Sequence, residues 1–173
     1  FDSGRRILPA VTDEKAHMIE TMIAAIYDRL GTPYHNIVRT GDASYDCSGI
    51  ICWSLRTMGV RRDRRSDTME MEETTAAGLS NTFVLYRGDN KIQLARINEQ
   101  SKMQEDIARL ERGDLVFLLN EKHSRIGHVM IYLGGGNVIH STTVSDDYRG
   151  TLVAGFRPEL RELYSCATRI VSY

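Results

Sequence analysis

Residues 44–53 read SYDCSGIICW, with Cys47 between an aspartate and a serine and an apolar run directly behind it. Such a cysteine can be a small core residue, half of a disulfide, a metal ligand or a nucleophile. A nucleophilic thiol must ionise, and the N-terminus of a helix favours that through its partial positive charge and its unbonded N–H groups. The same N–H groups can hold the oxyanion of a tetrahedral intermediate. Asp46 reads as the N-cap of a helix running from Cys47 to about Met58, with Gly59 as its stop, so the sulfur falls in the first turn. Position alone leaves a buried structural cysteine as an equal reading.

The groups that would complete a nucleophilic site occur in GHVMIYLGGGNVIHS, residues 127–141. Two apolar strands flank a glycine turn, and each carries one histidine, His128 and His140. If Leu133 pairs with Asn137 across a loop of Gly134, Gly135 and Gly136, the numbers of cross-strand partners sum to 270. His128 then lies opposite Thr142 and His140 opposite Met130, which puts both histidines on one face as diagonal neighbours about 7–8 Å apart at the backbone. A register shifted by one residue would put them on opposite faces. In the nucleophilic reading His128 is the base that takes the Cys47 proton and later protonates the leaving amine. His140 bonds the other ring nitrogen of His128 and fixes its tautomer and orientation, the part an aspartate plays in other triads. That chemistry needs no cofactor. A lone histidine in an apolar strand is more simply a core residue bonded to a backbone carbonyl. Two on one face, downstream of a cysteine at a helix start, are harder to account for that way.

The other uses of cysteine have less behind them. Cys47, Cys52 and Cys166 make an odd count, and positions five apart on one helix lie roughly 8 Å apart or more, beyond disulfide reach. Cys166 is expected to pack. Zinc could in principle take Cys47, His123, His128 and His140, but no close CxxC, HxH or HExxH pair seeds such a site, and no metal is assigned. His123 sits in the polar stretch NEKHSRIG and reads as exposed. His17 and His35 have no evident partners.

The elements that must position these residues follow from periodicity. Residues 13–30 predict a helix with Ile19, Met22, Ile23, Ile26 and Leu30 on one face, Thr12 as N-cap and Gly31 with Pro33 as the stop. The cysteine helix continues its own stripe through Ile50, Ile51, Ser54, Leu55 and Met58. Residues 61–79 open with the basic RRDRR, read as a solvated surface, and continue as one polar helix. TFVLYR and KIQLARI predict short strands, and KMQEDIARL fits either helix or loop. From Gly113 onward DLVFLL, HVMIYL, NVIHST, TLVAGF and TRIVSY are five β-type runs separated by turn residues. Helices first and an antiparallel sheet after them indicate an α+β fold.

Composition narrows the function classes. The chain has 173 residues, 42% hydrophobic and 26% charged, and a formal net charge of −1. That gives one domain, residues 1–173, with material for a sizeable core, and no charge bias towards nucleic acid or an anionic membrane surface. No apolar run approaches a membrane span. The beginning FDSGRRILPA has neither Met nor a signal-peptide core, so the chain is read as a mature fragment or a piece of a longer protein. A monomer is the default expectation.

Taken together, LGTPY (30–34), DCSG (46–49), RGDLVFL (112–118), GHVMIYLGGG (127–136) and NVIHS (137–141), in that order, resemble the NlpC/P60 family of cysteine peptidases. The resemblance implies a papain-like α+β fold, with the cysteine helix on a central antiparallel sheet of about five to six strands. It implies a Cys-His-His triad at Cys47, His128 and His140. It places Tyr34 beside the site and gives Asp46 and Ser48 a part in binding the substrate's amino end. The implied substrate is the peptide stem of bacterial peptidoglycan, cut between γ-D-glutamate and a diamino acid, by a secreted, periplasmic or wall-located enzyme. The polar stretch at about 61–110 is longer than in compact relatives and reads as an insertion. Three further uses of the same fold stand beside this one: a delivered toxin or effector with an immunity or delivery partner, an acyltransferase, and a non-catalytic binding module.

Overall fold

The computed structural model describes residues 14–36, 43–62, 74–97, 103–145 and 148–173. The first helix, α1 (Glu14–Tyr27), buries Met18, Met22, Ile23 and Ile26 at helical spacing. It stops earlier than its apolar pattern suggests. Arg29 and Leu30 bond back only three residues, to Ile26 and Tyr27, which tightens the chain into turns. Leu30 consequently leaves the apolar face and is 44% exposed. The expected cap at Thr12 lies outside the described residues.

The second helix, α2 (Cys47–Thr57), buries Cys47, Ile50, Ile51, Ser54 and Leu55, the stripe its sequence predicts, and packs on α1. All three cysteines are buried, and none forms a disulfide among the described residues. Among the described residues three short helices follow: α3 (Ala76–Ser80), α4 (Met103–Ala108) and α5 (Pro158–Arg161). Within 61–79 the described helical residues are α3 alone, and residues 63–73 lie outside the described set. Within KMQEDIARL, Met103–Ala108 is helix.

Among the described residues eight strands form one antiparallel sheet: β1 (Val60–Arg61), β2 (Val84–Arg87), β3 (Asn90–Arg96), β4 (Leu115–Leu119), β5 (Ile126–Gly134), β6 (Asn137–Ser145), β7 (Tyr148–Gly155) and β8 (Tyr164–Ser172). Their order is β1-β2-β3-β8-β4-β5-β6-β7. The five to six strands expected were too few because the interval at 61–110 contributes strands of its own. In β3 only Ile92 and Leu94 are buried, while Lys91 and Gln93 are exposed. One covered face leaves half the residues polar, so this part of the sheet reads as surface. Along β4 the core splits between two faces. Leu115 and Phe117 join the cluster under α1, α2 and α3. Val116 and Leu118 join a second cluster with Ile107 of α4 and Leu160 of α5. That alternation is the period of a strand with both sides covered.

The turn into β4 explains why RGD precedes the apolar run. Gly113 has φ of 96°, and a Cβ there would collide with the Ile19 side chain of α1, so only glycine serves. Asp114, 1% exposed, accepts from Arg169 Nε and Nη2 of β8 at 2.8 Å each and from Glu111 N at 2.7 Å. The bidentate pair ties the start of β4 to its neighbour in the sheet.

Candidate active site

Cys47 opens α2 because Asp46 caps the helix. The Asp46 backbone is extended, and its Oδ1 accepts the Gly49 N–H at 2.6 Å, which satisfies a first-turn donor and adds negative charge at the positive end of the helix dipole. Ser48, 2% exposed, turns its hydroxyl to the same Asp46 oxygen at 3.5 Å. Cys47 is 7% exposed, and its thiol donates weakly to the carbonyl oxygen of Gly127, Sγ to O 3.9 Å. The sulfur therefore rests against the main chain of the residue that precedes His128.

The hairpin of β5 and β6 places the two histidines. Ile131 pairs with Ile139 and Tyr132 with Val138, both summing to 270, as the same-face arrangement requires. At the tip the register shifts and Gly134 pairs with Asn137, so the loop is Gly135–Gly136 and not the three residues expected. Both loop glycines have positive φ, 61° and 80°, which suits a two-residue hairpin turn. His128 Nε2 and His140 Nδ1 lie 2.7 Å apart, with the rings edge to face at 70°. The bond uses Nε2 of His128 and leaves Nδ1 as its other ring nitrogen.

Burial decides the charge on this pair. His140, 3% exposed, has its pKa pushed down to about 4 by desolvation of the charged ring. His128 is pushed down to about 3, first by desolvation and then by the neighbouring His140. It keeps partial contact with solvent, which moderates that depression. Both rings are neutral at ordinary pH. A neutral pair sharing one hydrogen bond has one donor nitrogen and one acceptor nitrogen facing each other.

The loop carrying Tyr34 is pinned to the cysteine loop. Tyr34 forms a parallel bridge with Tyr45. Tyr45 N donates to Pro33 O, and His35 N donates to Tyr45 O, each at 3.1 Å. Ser141, the residue after His140, donates its buried hydroxyl to Tyr45 O at 3.0 Å. One carbonyl, two residues before the nucleophile, thus joins the Tyr34 loop to the strand of His140. Strand β7 holds the same loop from outside. Gly31 N donates to Thr151 O at 2.9 Å and Thr151 N to Thr32 O at 3.0 Å. Gly150 lies so close to Thr32 O that any Cβ would collide.

The structure brings Cys47, Asp46 and Ser48 together at the start of α2, and His128 with His140 on the adjoining hairpin. Sequence reasoning missed Gly127 and Ser141, which act through main-chain contacts. His123, His17 and His35 are exposed. Among the described residues no group of three or more His, Cys, Asp or Glu is placed to hold a metal, and no helix is long and apolar enough to cross a membrane.

Several solved structures share this fold. An NlpC/P60 family protein from Bacillus cereus is 22% identical with a TM-score of 0.58, matching 88% of this chain and 40% of its own. The P60 domain of antigen MAP1204 from M. avium subspecies paratuberculosis is 19% identical with a TM-score of 0.59, matching 92% of this chain and 99% of its own. The peptidoglycan hydrolase RipB from Mycobacterium tuberculosis is 18% identical with a TM-score of 0.54, matching 95% of this chain and 70% of its own. The chain thus spans about 40% of the Bacillus protein. Among curated proteins none matches this sequence. The model of the NlpC/P60 family matches residues 31–150, from the turn after α1 to β7. That span holds Cys47, both histidines and most of the sheet, and the chain belongs to the NlpC/P60 family.

Proposed function

We propose that this protein is a cysteine peptidase that hydrolyses an amide bond in the peptide stem of peptidoglycan, outside the cytoplasm. Cys47 is the nucleophile, His128 the general base and acid, and His140 the group that orients His128. The observation that carries the reading is the 2.7 Å bond between His128 Nε2 and His140 Nδ1, on a hairpin whose Gly127 carbonyl meets the Cys47 thiol. Family membership and the fold shared with the peptidoglycan hydrolase RipB support the substrate class.

In this mechanism His128 holds its proton on Nε2, donates it to His140 Nδ1, and presents an unprotonated Nδ1 to the thiol. Cys47 Sγ attacks the carbonyl carbon while its proton passes to Nδ1 of His128. The imidazolium so formed keeps its bond to His140, which stays neutral and accepting because burial opposes charge on it. The N-terminus of α2 stabilises negative charge on the sulfur and then on the carbonyl oxygen. His128 returns the proton to the leaving nitrogen, the C–N bond breaks, and a thioester remains on Cys47. Water, deprotonated by His128, then releases the acid. The scissile bond assigned is that between γ-D-glutamate and a diamino acid, with Tyr34, Asp46 and Ser48 at the substrate's amino end.

Digestion of purified peptidoglycan followed by mass spectrometry of the muropeptides tests this directly. The expected products carry a new carboxyl on D-glutamate and a new amine on the diamino acid, and Cys47→Ala releases neither. Undiminished release by Cys47→Ala would overturn the assignment.

A further inference from the structure

The connection between β4 and β5 carries a feature that the Cys-His-His machinery does not use. Asn120, Glu121, Lys122, Ser124 and Arg125 line an open hollow of about 540 Å³. The turn has its own scaffold. Asn120 N donates to Arg125 O at 2.8 Å and His123 N to Asn120 O at 2.9 Å. The Asn120 side chain accepts from Ser124 N and donates to Ser124 Oγ, both at 2.9 Å. His123 closes the turn at φ of 54°, a left-handed conformation uncommon outside glycine. The hollow holds two cations and one carboxylate, a net positive charge. Among the described residues neither Lys122 nor Arg125 takes part in an ion pair, although both are exposed.

The hollow adjoins the chemistry. A Cβ on Gly127 would lie 3.1 Å from Asn120 Cβ, so this turn packs directly on the residue whose carbonyl meets Cys47 Sγ. It also runs straight into His128. The base that protonates a leaving amine must lie on the leaving-group side of the scissile bond. In the proposed mechanism His128 is that base, and only Ile126 and Gly127 separate it in sequence from the turn.

We propose that the Asn120–Arg125 turn is a subsite for a carboxylate on the leaving-group residue of the substrate, bound by Lys122 and Arg125. The inference rests on the peptidase reading for its orientation, and binding tests it separately from cleavage. Glu121 repels the same carboxylate and limits the affinity.

The probe is a diamino acid amide of the leaving-group side carrying a free side-chain carboxylate, compared with the same compound as its carboxamide. Both are titrated by NMR into full-length Cys47→Ala protein. The carboxylate compound is expected to bind about tenfold tighter than the carboxamide at low salt, as two exposed charge contacts allow, and to weaken as salt rises. K122A/R125A should abolish the difference, and E121Q should widen it several-fold. Equal binding of the two compounds, or a preference untouched in K122A/R125A, overturns the subsite. Carboxylate-selective binding in a wild-type protein that cleaves no peptidoglycan leaves the subsite standing and rejects the peptidase reading.

Discussion

His140 has a narrow chemical task in the proposed mechanism. It must offer a lone pair to His128 Nε2 before and after proton transfer, and burial keeps it neutral for that purpose. His140→Ala is expected to lower kcat about 10²-fold. His140→Asn should retain more activity, because an amide oxygen can accept the same bond. Steady-state kinetics on a stem peptide separate the two, and equal losses would argue against an acceptor role. Asp46 has two possible parts, cap and substrate contact. Asp46→Ala is expected to cost about 1 kcal/mol through loss of the cap, whereas Asp46→Asn, still a good capping residue, should restore most of the stability. Failure of Asn to restore activity as well would show that the charge meets substrate. Cys47, His128 and His140 could be proposed from the sequence because their residue types and spacing name a chemistry. Gly127 and Ser141 were not, since a main-chain carbonyl and a serine hydroxyl acquire their meaning only from what packing sets against them.

The hairpin of β5 and β6 shows how far pattern alone reaches. The alternation of apolar residues fixes which face each histidine takes, and the body of the hairpin follows it. The tip does not, because three successive glycines impose no register and allow the shift between Tyr132 and Gly134. The strands at 84–96 were recognised individually, but their place in the sheet was not. Pairing of β3 with β8 joins residues such as Leu94 and Ile170, distant in sequence and silent about each other. The turn into β4 gives a test of a different kind. Arg169→Met removes the partner of the buried Asp114 carboxylate and is expected to cost about 3–5 kcal/mol. The double variant Asp114→Asn with Arg169→Met should recover part of that loss, because no unpaired charge is left. Urea denaturation of Arg169→Met, of Asp114→Asn alone and of the double variant measures the coupling, and additive losses would show that the pair is not a unit.

Acid should weaken the molecule through its histidines. Their ordinary pKa is about 6.5 in an unfolded chain, while burial holds His140 at about 4 and pushes His128 down to about 3. As pH falls below about 6.5 the unfolded chain takes up protons that the folded one refuses, so stability is full above that pH and drains away towards about 4. The urea midpoint is expected to drop between about pH 7.5 and about pH 5, and His140→Gln should make the drop shallower. An unchanged slope in the variant would remove His140 from the account.

Strand β8 lies between β3 and β4, and this position governs how the molecule is made. Synthesis delivers the segments bearing Cys47, His128 and His140 before Tyr164–Ser172 exists, so the nascent sheet is two unjoined halves with a gap where its middle should be. The arm from Asp114 to Arg169 closes only once β8 slots in between β3 and β4.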